Sequence, residues 1–240
     1  MRKAAALCCM PLLPLIAACQ NTSDVDHRLE SALEFPQADR PVSALESYEV
    51  ATEDVRDSRG EAQKVMDLAN LSDGMTVADI GAGEGYYTVR LAARVGEDGR
   101  VLAQDIDRDA LDRLGRRVER ERFDNVSIKL GREDDPQLPV DSFDRIFLVH
   151  MYHEVSEPYA FLWRLWPALA DQGQIIVVDK DRPTDQHGIP PLLLSCEFKA
   201  VGFRLVEFIE KPDIRGYFAR FERAETRPDP EDVTPCALTN

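Results

Sequence analysis

Basic charge is in short supply in this 240-residue chain, where 29 lysines and arginines stand against 44 aspartates and glutamates for a formal net charge of -15. A surface of that sign repels phosphate backbones, which argues against nucleic acid as a partner. Cysteine is scarce as well: there are five, and no two have the spacing of a zinc-binding pair. No apolar run reaches the roughly 20 residues that a membrane-spanning helix requires. Internal repeats are absent too.

What is present begins at the first residues. Arg2 and Lys3 precede an apolar run from Ala4 to Ala18, interrupted by Pro11 and Pro14, and the chain turns polar at Gln20, Asn21 and Thr22. That order is the layout of a secretory signal that is removed. Ile16-Ala17-Ala18-Cys19 resembles the lipobox of bacterial lipoproteins. The resemblance implies cleavage after residue 18, a lipid on the Cys19 thiol and attachment to the periplasmic face of a membrane, with Gln20 pointing to the outer one. Losing residues 1–18 removes two cations and no acids, leaving 222 residues with a formal charge of -17. Translation from Met10 would instead leave a cytoplasmic protein. Cys8 and Cys9 depart with the signal, and in an oxidising compartment Cys196 and Cys236 either pair or remain a buried thiol and a tail thiol. Residues 19–45 read as a polar tether, residues 46–224 as one folded domain and residues 225–240 as a tail.

Within the folded part, Val65, Met66, Leu68, Ala69 and Leu71 recur at helical spacing, and Ser72-Asp73-Gly74 closes that helix. Short β-branched runs at 75–80, 100–105, 126–130, 143–150 and 173–179 predict strands. Amphipathic runs at 86–96, 108–123 and 157–170 predict helices between them. This alternation specifies an α/β fold with a doubly wound, mostly parallel sheet. Residues 202–210 and 216–223 flank a turn with Pro212, Asp213 and Gly216, so they predict a terminal hairpin. Ligands of such sheets sit at the carboxyl ends of the strands.

At the first of those ends stands Asp79-Ile80-Gly81-Ala82-Gly83-Glu84-Gly85. Glycines there admit backbone torsions closed to other residues and let a ligand approach the main chain. Their spacing is not the G-x-G-x-x-G of a dinucleotide site. The flanking carboxylates of Asp79 and Glu84 disfavour a phosphate and favour an ammonium or sulfonium group. Asp105 ends the second strand, where a carboxylate accepts ribose hydroxyls.

Over residues 60 to 223 the chain resembles class I S-adenosylmethionine-dependent methyltransferases. The resemblance implies a Rossmann-like, seven-stranded sheet with an antiparallel last strand, and S-adenosylmethionine held by Asp79, Gly81, Gly83, Gly85 and Asp105, with Asp107 a secondary choice for the ribose. It also implies adenine contacts from residues 131–139. There an arginine, Arg132, follows the glycine where many relatives carry an acid, which shifts the contact to Glu133 or Asp134.

His150-Met151-Tyr152-His153-Glu154-Val155 follows the fourth strand, beside the expected methyl group. His153 is the candidate general base, with Glu154 orienting it and Tyr152 shaping the pocket, while His150 packs at the strand end. A plain strand-to-helix junction is the competing reading of the same residues. Asp179, Lys180, Arg182 and His187 leave the fifth strand at the same edge and form the candidate acceptor site, a polar loop of a kind that also occurs without function. Neither His-x-x-His-Glu nor this loop, which lacks the Asp-Asn pair used by metal-dependent relatives, is the pattern of a metal site. Tyr48, Asp57 and Arg59 are candidates for a lid or for a solvated leading helix. These readings predict an exported, lipid-anchored methyltransferase acting on a small-molecule acceptor. A non-catalytic exported protein that binds an adenosyl ligand is the alternative.

Overall fold

The structure, a computed structural model, describes residues 28–43 and 52–237. Cys19 and Tyr48 lie outside them. Two short helices, α1 (Glu53–Ser58) and α2 (Glu61–Leu68), lead into β1 (Thr76–Ile80), α3 (Tyr86–Val95), β2 (Arg100–Asp105), α4 (Arg108–Glu121) and β3 (Val126–Leu130). The second half runs β4 (Phe143–Val149), α5 (Pro158–Leu165), β5 (Leu169–Asp179), α6 (Pro191–Ala200), β6 (Phe203–Lys211) and β7 (Gly216–Arg223). Among these residues no helix is long and apolar enough to cross a membrane.

The seven strands form one sheet in the order β3-β2-β1-β4-β5-β7-β6. Strand β7 is antiparallel to both β5 and β6, and every other pairing is parallel. The order reverses between β1 and β4, so a crevice opens at their carboxyl ends. Both faces of the central strands are covered, which is why they read as nearly unbroken apolar runs. Alternate residues of β4 serve opposite layers: Ile146 and Leu148 pack with α5 and α6, whereas Phe147 packs with α2 and α3.

Three stretches depart from the periodicity. The helix expected to reach residue 170 stops at Leu165, because Pro167 cannot continue its hydrogen-bond ladder, and β5 begins already at Leu169. Residues 171 and 172, which fall between the expected helix and strand, therefore lie inside β5. Helix α6 was not legible as a periodic run, since Pro190 and Pro191 mask its start; Pro191 occupies its first position, where a missing N–H costs nothing.

The third departure is the N-terminal segment. Residues 28–43, read as part of a polar tether, form a strap packed on the domain. Ala32 and Phe35 enter the core, and Phe35 meets Trp163 at 5.6 Å between ring centres. Arg28 pairs with Glu157, and Ser31 donates to Asp134. Arg40 pairs with Glu197 at 2.7 Å, with side chains 0% and 1% exposed. The C-terminal tail is fastened as well: Cys236 and Cys196 form a disulfide across 40 residues, so of the two readings of these cysteines the paired one holds.

Candidate active site

Between Ile80 and α3 the chain turns through Gly81–Gly85 and walls one side of a cavity of about 1180 Å³ at the carboxyl ends of the strands. Gly83 has φ +52°, and a Cβ there would meet no protein atom within 4 Å, so bare backbone forms the wall. Gly85 has another task. It has φ +88° and its Cβ would lie 2.3 Å from Leu114 Cδ1, so backbone conformation together with packing against α4 favours glycine there, and Gly85 is not part of the wall.

Asp105 lies in the wall at the end of β2. Its Oδ2 accepts from the Gly83 N–H at 2.7 Å and its Oδ1 from the Asp107 N–H at 2.9 Å. Each oxygen retains a lone pair for a hydroxyl donor. Asp107 also lines the cavity, though its Oδ1 caps α4 by accepting from the N–H groups of Asp109 and Ala110. Gln104, which sequence reasoning missed, adds an acceptor: it lines the cavity, and its Oε1 is buried without a hydrogen-bond partner. Its position next to Asp105 was the only sequence signal for it.

Asp79 does not line the cavity. It sits behind the loop, 3% exposed, accepting from the Thr88 hydroxyl at 2.6 Å, and burial pushes its carboxyl up from 3.8 to about 6. Between those values the folded chain binds more protons than the unfolded one, so this group makes stability fall as pH rises through the window. Asp79→Asn is expected to remove that fall, worth up to about 3 kcal/mol. Urea unfolding of both proteins near pH 4 and near pH 7 checks it, and equal pH dependence would refute the assignment.

Of the two acids expected at the adenine, Glu133 lines the cavity. Asp134 does not: fully buried, it is held by Arg164 at 2.5 Å and by Ser31, so it braces the strap instead.

The catalytic candidates separate in the same way. Tyr152 is fully buried outside the cavity wall, with its hydroxyl donating to Glu197 Oε2 at 2.7 Å, so it supports the core and does not shape the pocket. His153 does line the cavity. Its Nδ1 lies 3.0 and 2.9 Å from the two oxygens of Asp179, which is itself 0% exposed. A carboxylate only accepts, so Nδ1 carries a proton, and in the neutral ring Nε2 carries the lone pair. Asp179 is thus the orienting acid expected of Glu154, and it contacts His153 instead of contributing to the acceptor wall. Glu154 stands on the other side, 3.7 Å from Nε2, in the cavity wall. Burial, with Asp179 and Asp105 nearby, pushes its carboxyl up to about 7 against the opposing influence of His153.

Lys180 and His187 line the same region, and Arg182 does not. His150 also faces the cavity, 3.5 Å from Glu61, where simple strand-end packing was expected. From the leading helix, Glu53 and Arg56 enter the wall together with Arg59, while Asp57 accepts from Tyr86 and pairs with Arg90.

A Rossmann-like sheet carrying a glycine loop and a strand-end acid at one cavity is the architecture of a methyltransferase domain. The chain belongs to that family, whose model, a methyltransferase domain, matches residues 71–209. Among curated relatives, the ubiquinone/menaquinone biosynthesis C-methyltransferase UbiE of Idiomarina loihiensis is 28% identical over 120 residues, covering 49% of this chain and 47% of that one. The chain spans about half the length of the curated relatives it matches. A SAM-dependent methyltransferase from Aquifex aeolicus superposes with a TM-score of 0.62 at 24% identity, over 72% of this chain and 97% of that one. The [4+2]-cyclase SpnF gives the same TM-score at 13% identity, over 81% and 90%. At these identities the two structures speak for the fold alone.

S-adenosylmethionine is the cofactor that the family implies, and the residues present fit it. Gly83 leaves room for close approach, Asp105 offers acceptors for ribose hydroxyls, and the unpartnered Gln104 oxygen awaits a donor.

Proposed function

We propose that this protein is an exported, lipid-anchored enzyme that transfers a methyl group from S-adenosylmethionine to a small-molecule acceptor. When bound, the cofactor supplies an electrophilic methyl group on sulfonium sulfur. The observation that carries the reading is His153, a cavity-lining imidazole whose tautomer is fixed by the buried Asp179. Methyl transfer is an in-line displacement, so the chain's main contribution is alignment within a closed site. Asp105 and the loop hold one partner, and Lys180, His187 and Glu154 border the space left for the other. The Nε2 lone pair of His153 takes a proton where the acceptor must lose one.

Export and the lipid at Cys19 rest on the first 22 residues, and the Cys196–Cys236 disulfide supports an oxidising compartment. Labelling of cells with radioactive palmitate is expected to mark the protein through Cys19, and unlabelled protein would end the lipoprotein reading.

Calorimetric titration with S-adenosylmethionine is expected to show saturable binding, with NAD as the control that does not bind. Asp105→Ala should weaken that binding by about 1.5–3 kcal/mol, the worth of a hydrogen bond to a charged group. Unchanged affinity would remove Asp105 from the site. Binding without S-adenosylhomocysteine formation across a panel of acceptors would favour the non-catalytic binding protein instead.

A further inference from the structure

Asp179 leaves one lone pair on His153 Nε2, and that lone pair has company. One ligand atom each from His153, Glu154 and His187 lie within 4.8 Å of one another, with Nε2 and Glu154 Oε1 3.7 Å apart. We propose that these three side chains bind a divalent cation of the zinc class, leaving its fourth position open toward the cavity for an oxygen atom of the acceptor.

Four observations carry this. The donor set, two histidines and one carboxylate, is one that zinc takes when a coordination position stays open. Tetrahedral zinc at its usual bond lengths sets neighbouring ligand atoms about 3.3 Å apart, so Nε2 and Glu154 need to close by only a few tenths of an ångström. Behind His153 stands Asp179, 0% exposed and accepting from Nδ1, which is the carboxylate-histidine arrangement that orients a ligand ring and raises its basicity. Finally, His187 is fixed beside His153 with a ring nitrogen to spare: its N–H donates to Ser43 Oγ at 3.0 Å, the two imidazoles meet edge to face with 5.7 Å between ring centres, and its buried Nδ1 has no hydrogen-bond partner.

The ligands are not visible as a sequence motif because His187 arrives from the loop after β5, far from the His-x-x-His-Glu run. This inference deepens the proposed function and rests on it only for the acceptor. It narrows the acceptor class to molecules with an ionisable hydroxyl, whose proton leaves to water as the oxygen enters the fourth position. His153 is then a ligand, and the proton it would otherwise take goes to solvent.

The test uses the full chain after treatment with a chelator. Zn²⁺ is titrated by calorimetry, and Co²⁺ by the visible absorption that tetrahedral cobalt develops. The expected result is that His187→Ala and Glu154→Gln each bind one equivalent less than the wild type, or bind it at least tenfold more weakly, and lose the cobalt spectrum. Equal uptake by wild type and both variants, or no uptake by any, would overturn the proposal. Should His187→Ala lose its far-ultraviolet circular dichroism, Glu154→Gln, on the cavity rim, decides alone. S-adenosylmethionine titrated into the same samples separates the two ideas, since failure there touches the methyltransferase reading and leaves the metal result standing.

Discussion

Arg40→Ala is expected to destabilise the protein by about 3–5 kcal/mol, the cost of stripping one partner from a buried ion pair. Arg40 reaches out of the N-terminal strap into the core. Its Nε pairs with Glu197 Oε1 at 2.7 Å, and its terminal nitrogens donate to the carbonyls of His153 at 3.4 Å and Val155 at 3.1 Å. Tyr152 donates to the other Glu197 oxygen. Removing the guanidinium leaves a carboxylate 1% exposed, with only the Tyr152 hydroxyl to satisfy it, and two carbonyls lose their donors as well. Replacing both charges, Arg40→Met with Glu197→Leu, should recover the part of the loss due to the stranded carboxylate, because an apolar pair does not demand solvation, while the Tyr152 hydroxyl and the carbonyls of His153 and Val155 stay without those partners. Urea denaturation followed by Trp163 and Trp166 fluorescence measures both. A loss below about 1 kcal/mol for Arg40→Ala, the range of an exposed pair, would mean that the strap is not part of the folded unit.

The strap explains why some of this molecule was legible in its sequence and some was not. Strands β2 and β3 fall where the short apolar runs set them, although only β2 is flanked on both sides and β3 is a largely exposed edge strand. The glycine loop and Asp105 were legible for a related reason: their positions follow from the ends of β1 and β2. Arg40 and Glu197 stand 157 positions apart, and no local pattern announces that a polar, proline-bearing stretch will bury an arginine. The site divides along the same line. His153 could be picked out from its place after β4, but its partner could not. Glu154 is adjacent in sequence and was therefore assigned to orient it, whereas the chain turn after His153 presents Nδ1 to the end of β5, 26 residues away. Asp134 and Tyr152 were misassigned because a side chain's face at a strand end depends on what packs behind it. Arg164 and Glu197 are those neighbours.

The strap also joins stability to the site. Arg40 holds the His153 carbonyl, and Ser43 both accepts from the His187 N–H and donates to the Thr184 carbonyl. Both imidazoles of the acceptor wall are therefore braced through their backbones by a segment outside residues 71–209, the part shared with the family model. The family model covers the glycine loop and the strand-end acid, and the strap lies outside it.

Asp179→Asn should lower turnover by about 10²–10⁴-fold, the usual contribution of a positioned acid-base group, while leaving S-adenosylmethionine affinity within a few fold. Asp179 Oδ1 accepts from the Lys180 N–H at 2.8 Å and lies 3.0 Å from His153 Nδ1, while Oδ2 lies 2.9 Å from the same nitrogen. In asparagine the Lys180 N–H fixes the amide oxygen at the first position, so the NH₂ group takes the second, where it would oppose a ring N–H at 2.9 Å, and donates to Nδ1. The imidazole proton then moves to Nε2, and the lone pair facing Glu154 is lost. Shape and volume scarcely change, so a purely structural role for Asp179 predicts little effect. Nitrogen-15 NMR of His153 reads the tautomer directly and needs no acceptor: the protonated nitrogen should be Nδ1 in the wild type and Nε2 in the variant. The same lone pair is required for holding a cation, so the variant should also bind Zn²⁺ about 10–100-fold more weakly, the usual cost of disturbing the group behind a ligand. An Asp179→Asn protein that keeps its proton on Nδ1 and its turnover intact would show that the buried carboxylate sets neither the tautomer nor the chemistry of His153.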